Sequence, residues 1–582
     1  MNFKLMDFKS SQITPLQKIF VLAVMCLVFF LFNLLLDKMF VQPSRVTVDA
    51  ASPRFSATRA FDTTREYVTQ FPQRLFGSLE SRQSTGYLTD RLTAMGYEVE
   101  HINFDGRIGG GQRAGRNVLA YKQGETDEII AVTAHFDTAR PTVQGAAKNG
   151  AAVGVLMELA ELFSEENTRR SLLFIFTDGG EWGSTGANDL ILNYEKKDRI
   201  AVALTLDYVA PGDLGGFRLE TTGQLYGSTP PGLIRLAEDV IKEQTSFVTV
   251  ESMGTKLLEN VFMISNSEQG AFLKSGIPAI NLGSFSTDGK REKAILHSTG
   301  DVIENLEIEA IDKYGRVAEQ MVRSLAESPE IPRFKFKSNN VWKQAKSICA
   351  GILFLMCIIL LVQILVSRKI LKLAQAGREL LAFFAAWTPF LVLFLGIRLA
   401  YAARQFPFYD LYPAIAKDPV MQNPPWKVLV IIVAVALFIA IVAWIVARYF
   451  LREWSKPDYQ NSCTVLFGVL VITIFLAGAY NPFWGVIFFT APFVLWPIPQ
   501  RWKISESGIG KKIAGVTYIA AAAVPAAVAF WWLAARLGFG WNFFWYQVLA
   551  LTTGLFSPFA YFMGTAVMAV GIRFIAITSL KR

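Results

Sequence analysis

Ala134-His135-Phe136-Asp137-Thr138 and Gly179-Gly180-Glu181-Trp182-Gly183 are the two stretches from which this chain is read. Glu128 to Ala134 is an apolar run bounded by turn residues, the pattern of a buried strand. It ends on a His and an Asp two residues apart. Such a pair offers an imidazole ligand and a carboxylate that takes the other ring N–H and sets the tautomer. Ser171 to Thr177 is a second apolar strand, running into a glycine turn that carries Glu181.

Histidine is scarce, with three in 582 residues. Besides His135, His297 lies in Leu296-His297-Ser298-Thr299-Gly300-Asp301, and His101 sits alone in a strand as a surface or packing residue. Further blocks follow in order: Phe71-Pro72-Gln73-Arg74 to Gly96-Tyr97, Gly145 to Gly150, Thr205-Leu206-Asp207, Gly276-Ile277-Pro278 and His297 to Asn305. From about Phe61 to about Ala326 the chain resembles the di-zinc aminopeptidase family that also contains glutaminyl cyclase and the transferrin-receptor ectodomain.

The resemblance implies His135 and Asp207 as ligands of one zinc, Glu181 and His297 as ligands of the other, and Asp137 as the orienter of His135. It also implies a carboxylate bridging the two metals and a general-base Glu. Here Lys148 stands at the bridging position, in Gly145-Ala146-Ala147-Lys148-Asn149-Gly150, and Gly180 at the base position. An ammonium between two dications repels where a carboxylate attracts, and a protonated Lys cannot ligate. The missing base removes a factor of roughly 10²–10⁴. The expectation is at most one zinc per chain, with Lys148 paired among Glu181, Asp207 and Asp137 in place of metal. Lys148 and Asp178 are the candidate substrate-binding side chains, Asp178 also as a displaced base.

Composition frames this domain. The chain is 52% hydrophobic with a formal net charge of +9. Its basic residues cluster beside apolar segments, which fits membrane orientation and not nucleic-acid binding. Residues 1–18 read as a cytoplasmic tail, 19–36 as an uncleaved anchor, 41–340 as an extracytoplasmic domain, 348–572 as seven further spans and 573–582 as a second cytoplasmic tail. Strands alternating with helices in 41–340 predict an α/β fold: a mixed, mostly parallel sheet covered by helices on both faces. An α-helical membrane domain, bringing the total to about eight spans, accompanies it. Asn481-Pro482 predicts a tight hairpin between two spans, and Arg398 reads as a snorkelling side chain. The four Cys lie in or beside apolar segments, and the outer domain has no Asn-x-Ser/Thr acceptor. A bacterial inner membrane, with the domain in the periplasm, is therefore expected over the ER lumen.

The order of anchor, outer domain and spans looks like that of the aminopeptidase-related subunit of the glycosylphosphatidylinositol transamidase. The first functional expectation is a non-catalytic subunit of a membrane complex that binds a peptide or amide-bearing substrate or acts as a scaffold. Its partners would be membrane lipid and another membrane protein. The alternatives are an active zinc metallo-exopeptidase or amidase, and a lipid-handling transporter or transferase subunit.

Overall fold

Strands β3 (Thr126–His135) and β4 (Arg170–Thr177) are buried on both faces, which is why they read as unbroken apolar runs. In both, alternate residues serve different cores. Ile130, Val132, Leu172, Phe174 and Phe176 face one, while Ile129, Ala131, Leu173 and Ile175 face the other. The computed structural model describes residues 52–108, 111–223, 228–244, 247–265 and 267–329. In the apolar half it describes 349–351, 353–354, 373–406, 419–452, 459–495, 508–553 and 556–578. The expected anchor, and most of the first span after the outer domain, lie outside these residues.

The domain preceding the apolar half, read above as the outer one, is built on an eight-stranded mixed sheet in the order β1-β2-β4-β3-β5-β8-β6-β7. Here β1 is Glu98–Ile108, β2 Gly111–Lys122, β5 Ile200–Leu206, β6 Leu214–Glu220, β7 Val248–Val250 and β8 Ala279–Ser286. The central strands β4, β3, β5 and β8 are parallel to one another. Antiparallel pairings join β1 to β2, β2 to β4 and β8 to β6. Helices α1 (Ala57–Gln70), α3 (Ala151–Ser164), α5 (Pro231–Gln244) and α9 (Ile308–Glu327) cover one face. Helices α4 (Thr185–Asn193) and α7 (Gln269–Lys274) cover the other. Helix α2 (Leu79–Ala94) starts at Leu79 because Ser78 caps it by accepting from Ser81 N. His101 bonds Thr89 Oγ1 at an exposed position, as expected of a surface residue.

Parallel register sets the site. His135 pairs with Thr177, and Ala134 with Leu206. The residues that end β3, β4 and β5 therefore emerge side by side at one edge of the sheet.

In the apolar half, α10 (Leu373–Ala402), α11 (Trp426–Arg452), α12 (Tyr459–Tyr480) and α16 (Pro558–Thr578) are each long and apolar enough to cross a membrane. Helix α13 (Pro482–Leu495) follows α12 directly, so the hairpin at Asn481 is formed. Helix α14 (Gly508–Leu537) is bent by 118° from α15 (Phe543–Thr553). Gly538 and Gly540 make that bend at φ 72° and 52°. The apolar stretch Tyr546–Ile572, within the region read as seven spans, is thus not one helix. It is divided between α15 and α16, with Pro558 opening the second. Nor does Arg398 snorkel: its guanidinium donates to Thr552 O at 2.6 Å, satisfying a carbonyl in the last turn of α15.

Helix α6 (Met253–Phe262) joins the two halves, packing Leu257, Val261 and Phe262 on the apolar helices. It meets them at the Asn481 turn and at Arg536, in the last turn of α14. Cysteine labelling tests the side on which this domain lies. Asp127→Cys, at a side chain 73% exposed, is expected to react with an impermeant reagent on intact cells. Lys372→Cys, in the basic stretch before α10, and Lys511→Cys, in the first turn of α14, are expected to react only after permeabilisation. The reverse pattern would invert the topology.

Candidate functional site

The sheet edge collects six of the side chains singled out in the sequence. His135 Nδ1 lies 3.1 Å from Asp137 Oδ1, and His135 Nε2 lies 3.4 Å from Asp207 Oδ1. His297 Nε2 lies 3.2 Å from Glu181 Oε1. The Lys148 ammonium joins the two pairs, bonded to Asp207 Oδ1 and 4.0 Å from Glu181 Oε1. Asp137 is not a partner of Lys148. Besides His135, it accepts from Gly180 N at 2.7 Å and Glu181 N at 3.1 Å, so it anchors the glycine turn.

Asp178 is elsewhere. It is buried and turned toward α2, accepting from Ser81 Oγ at 2.9 Å and Gly179 N at 2.9 Å. Burial pushes its pKa well up, and nearby Asp137 adds to this. It touches neither the histidines nor Lys148, and its contacts make it a support of the turn between β4 and the glycines.

Several positioning residues had weaker sequence signals. Asp301, in the His297 block, accepts from Ala147 N at 2.7 Å and Lys148 N at 3.2 Å, pinning the loop that carries Lys148. Asn149 adopts φ 69°, a left-handed conformation that Asn tolerates, and its amide donates to Asp137 O. Arg74 is fully buried and spends its donors on Phe136 O, Phe71 O and Gln144 O. His297 itself has φ 51°, an uncommon backbone that the turn after α8 (Gly289–Ile295) imposes. Ser267, not singled out in the sequence, places Oγ 2.8 Å from both Asp207 Oδ2 and Glu220 Oε2.

Electrostatics follow from this packing. Burial alone would raise Glu181, but His297 and Lys148 hold it down to about 2. Burial likewise opposes ionisation of Asp207, and Lys148 and His135 outweigh it, keeping the carboxyl well below its ordinary range. Burial would lower His135, yet its bonds to Asp137 and Asp207 raise it to about 10. Lys148 is raised in turn by Asp207 and Glu181 against the effect of burial. The cluster is thus a set of mutually paired charges.

These residues do not fit a two-zinc centre. The position between the two ligand pairs is filled by an ammonium, which has no lone pair to give. Among the described residues, no three His, Cys, Asp or Glu side chains converge as a metal would require. The base position is closed as well. A Cβ built on Gly180 would lie 2.2 Å from His135 Cγ and 2.3 Å from its Cβ, so the imidazole occupies the space a longer residue would need.

Residues 117–322 match the family model described as Peptidase family M28. The alkaline phosphatase isozyme conversion protein of Escherichia coli is 30% identical over 194 residues, 28% of this chain and 55% of that protein. Transferrin receptor protein 2 of Mus musculus is 29% identical over 213 residues, 33% of this chain and 25% of that protein. The solved structure of BSAP, a zinc aminopeptidase from Bacillus subtilis, aligns with a TM-score of 0.41 at 15% identity, over 49% of this chain and 98% of that one. The match thus spans about half of the first relative's length and a quarter of the second's. The sheet, the ordered blocks and the family match agree: over residues 117–322 this chain matches peptidase family M28.

Proposed function

We propose that this chain is a membrane-embedded relative of the M28 peptidases whose outer domain binds a peptide or amide-bearing ligand, or a partner subunit, without hydrolysing it. One observation carries the reading: Lys148 lies between Asp207 and Glu181, where the family resemblance places a metal-bridging carboxylate. The closed space at Gly180 supports it. The peptide class of ligand rests on the family alone. The domain faces the periplasm or its equivalent, in line with the basic loops and with α6 meeting the ends of α12 and α14 on the opposite side.

Metal content tests this. Purified protein is expected to carry fewer than two zinc ions per chain. Lys148→Asp is expected to raise zinc binding, since it returns a carboxylate between His135/Asp207 and Glu181/His297. Two tightly held zinc ions in the wild type would sink the proposal. A second reading, a one-metal exopeptidase or amidase, is favoured by the retention of all four ligand-type side chains. It predicts one zinc per chain and turnover of aminoacyl amides that Glu181→Gln abolishes without unfolding the domain.

A further inference from the structure

Helix α6 is fastened to the apolar half at two points. Asn481, fully buried, donates its amide to Asn260 O at 3.0 Å and Val261 O at 3.1 Å, carbonyls in the last turn of α6. The same side chain accepts from Phe483 N at 3.0 Å and Trp484 N at 3.2 Å, the first N–H groups of α13. One residue therefore caps two helices, one from each half. The second point is Arg536, at the end of α14. Its guanidinium lies 2.7 Å from Glu259 Oε1 and 3.5 Å from Glu251 Oε1, carboxylates whose side chains are 1% and 6% exposed. Phe262 adds ring contacts to Phe488 and Phe530.

Both fastenings lead to the site. Glu251 Oε2 accepts from Thr221 N at 3.0 Å and Thr222 Oγ1 at 3.1 Å, which holds the end of β6 beside Glu220. Glu220 and Asp207 share the Ser267 hydroxyl. Ser267 lies five residues beyond the end of α6, and its neighbour Glu268 accepts from Thr133 Oγ1 at 3.0 Å and from Thr177 Oγ1, on β3 and β4. A path thus runs Arg536, Glu251, Thr221, then one peptide link to Glu220, and on by polar contacts to Ser267, Asp207 and Lys148. The Ser267 hydroxyl lies within bonding distance of both carboxyls and ties them together.

We infer that α6 and the Ser267–Glu268 segment form a coupling joint, through which Arg536 of the membrane half positions Asp207 in the outer-domain site. Membrane-helix rearrangement and ligand binding at the site around Lys148 then bias each other, and the coupling is reciprocal. The joint requires neither catalysis nor metal, so its fate is independent of the proposed function.

Hydrogen exchange on the full chain in lipid nanodiscs tests it. Arg536→Gln is expected to speed exchange about tenfold at 205–209 and at 267–269, with Arg536→Lys restoring most of the protection. In a Ser267→Ala background the same Arg536→Gln change is expected to loosen α6 but to leave 205–209 unaffected, because the bridge is already cut. Conversely, Lys148→Met is expected to alter protection at 536–545. If Arg536→Gln loosens only 251–262, or if its effect at 205–209 survives Ser267→Ala, the coupling is overturned. Should Arg536→Gln unfold the whole domain, Arg536→Lys against Ser267→Ala still decides. No reciprocal effect between 205–209 and 536–545 in that pair overturns the inference.

Discussion

Lys148→Ala is expected to destabilise the outer domain by about 2–4 kcal/mol, read as a lower melting temperature and denaturant midpoint. The ammonium pairs with Asp207 and faces Glu181 at 4.0 Å, in a site where the Lys148 and Asp207 side chains are only 13% and 11% exposed. Removing it leaves two carboxylates together with little water to solvate them. Breaking a fully buried pair costs about 3–5 kcal/mol, and the residual exposure of both partners moves the expectation slightly lower. Lys148→Met, which keeps most of the volume but drops the charge, is expected to cost nearly as much, because charge pairing and not packing is lost. A chelator should leave the wild-type melt unchanged. A metal-dependent site behaves in the opposite way: the chelator lowers the wild-type melting temperature and Lys148→Ala scarcely matters. That result would remove the basis of the non-catalytic reading.

Gly180→Glu, which places a carboxylate where the family resemblance expects the general base, is expected to cost about 4 kcal/mol or more and to yield no hydrolase. The added Cβ meets the His135 ring at 2.2 Å, a separation real Cβ atoms do not adopt. The ring has to leave, giving up contacts of 3.1 Å to Asp137 and 3.4 Å to Asp207. Overpacking of about 1–3 kcal/mol adds to the loss of charge-assisted bonds worth about 1.5–3 kcal/mol each. Gly180→Ala carries the same Cβ and is expected to show most of the penalty, which separates steric exclusion from the charge of the Glu. A Gly180→Glu protein that melts like wild type, or that turns over an aminoacyl amide, would show that the imidazole readily yields this space.

The blocks around His135, Glu181, Asp207 and His297 were legible because each ends a strand or a turn whose local pattern is distinctive. The apolar runs of β3 and β4 needed no partner to be recognised, since both faces of a central parallel strand are buried. Lys148, where the resemblance expects a bridging carboxylate, and the long apolar helices α10, α11 and α12, were equally open to reading from order and composition. Other features depended on approach in space. Asp178 follows β4 as a potential base would, yet it turns to Ser81, 97 residues away. Gly180 reads as a missing base, and only the packed imidazole shows that the space itself is closed. Tyr546 to Ile572 is apolar throughout, so hydropathy could not reveal the break between α15 and α16. The joint through α6 was the least visible. Arg536 finds Glu259 across 277 residues, and Ser267 finds Glu220 across 47. Residue order and local periodicity determine which faces are buried and where strands end. Which charge meets which is decided by the tertiary approach of distant segments, because a carboxylate's partner leaves no periodic trace in its own neighbourhood.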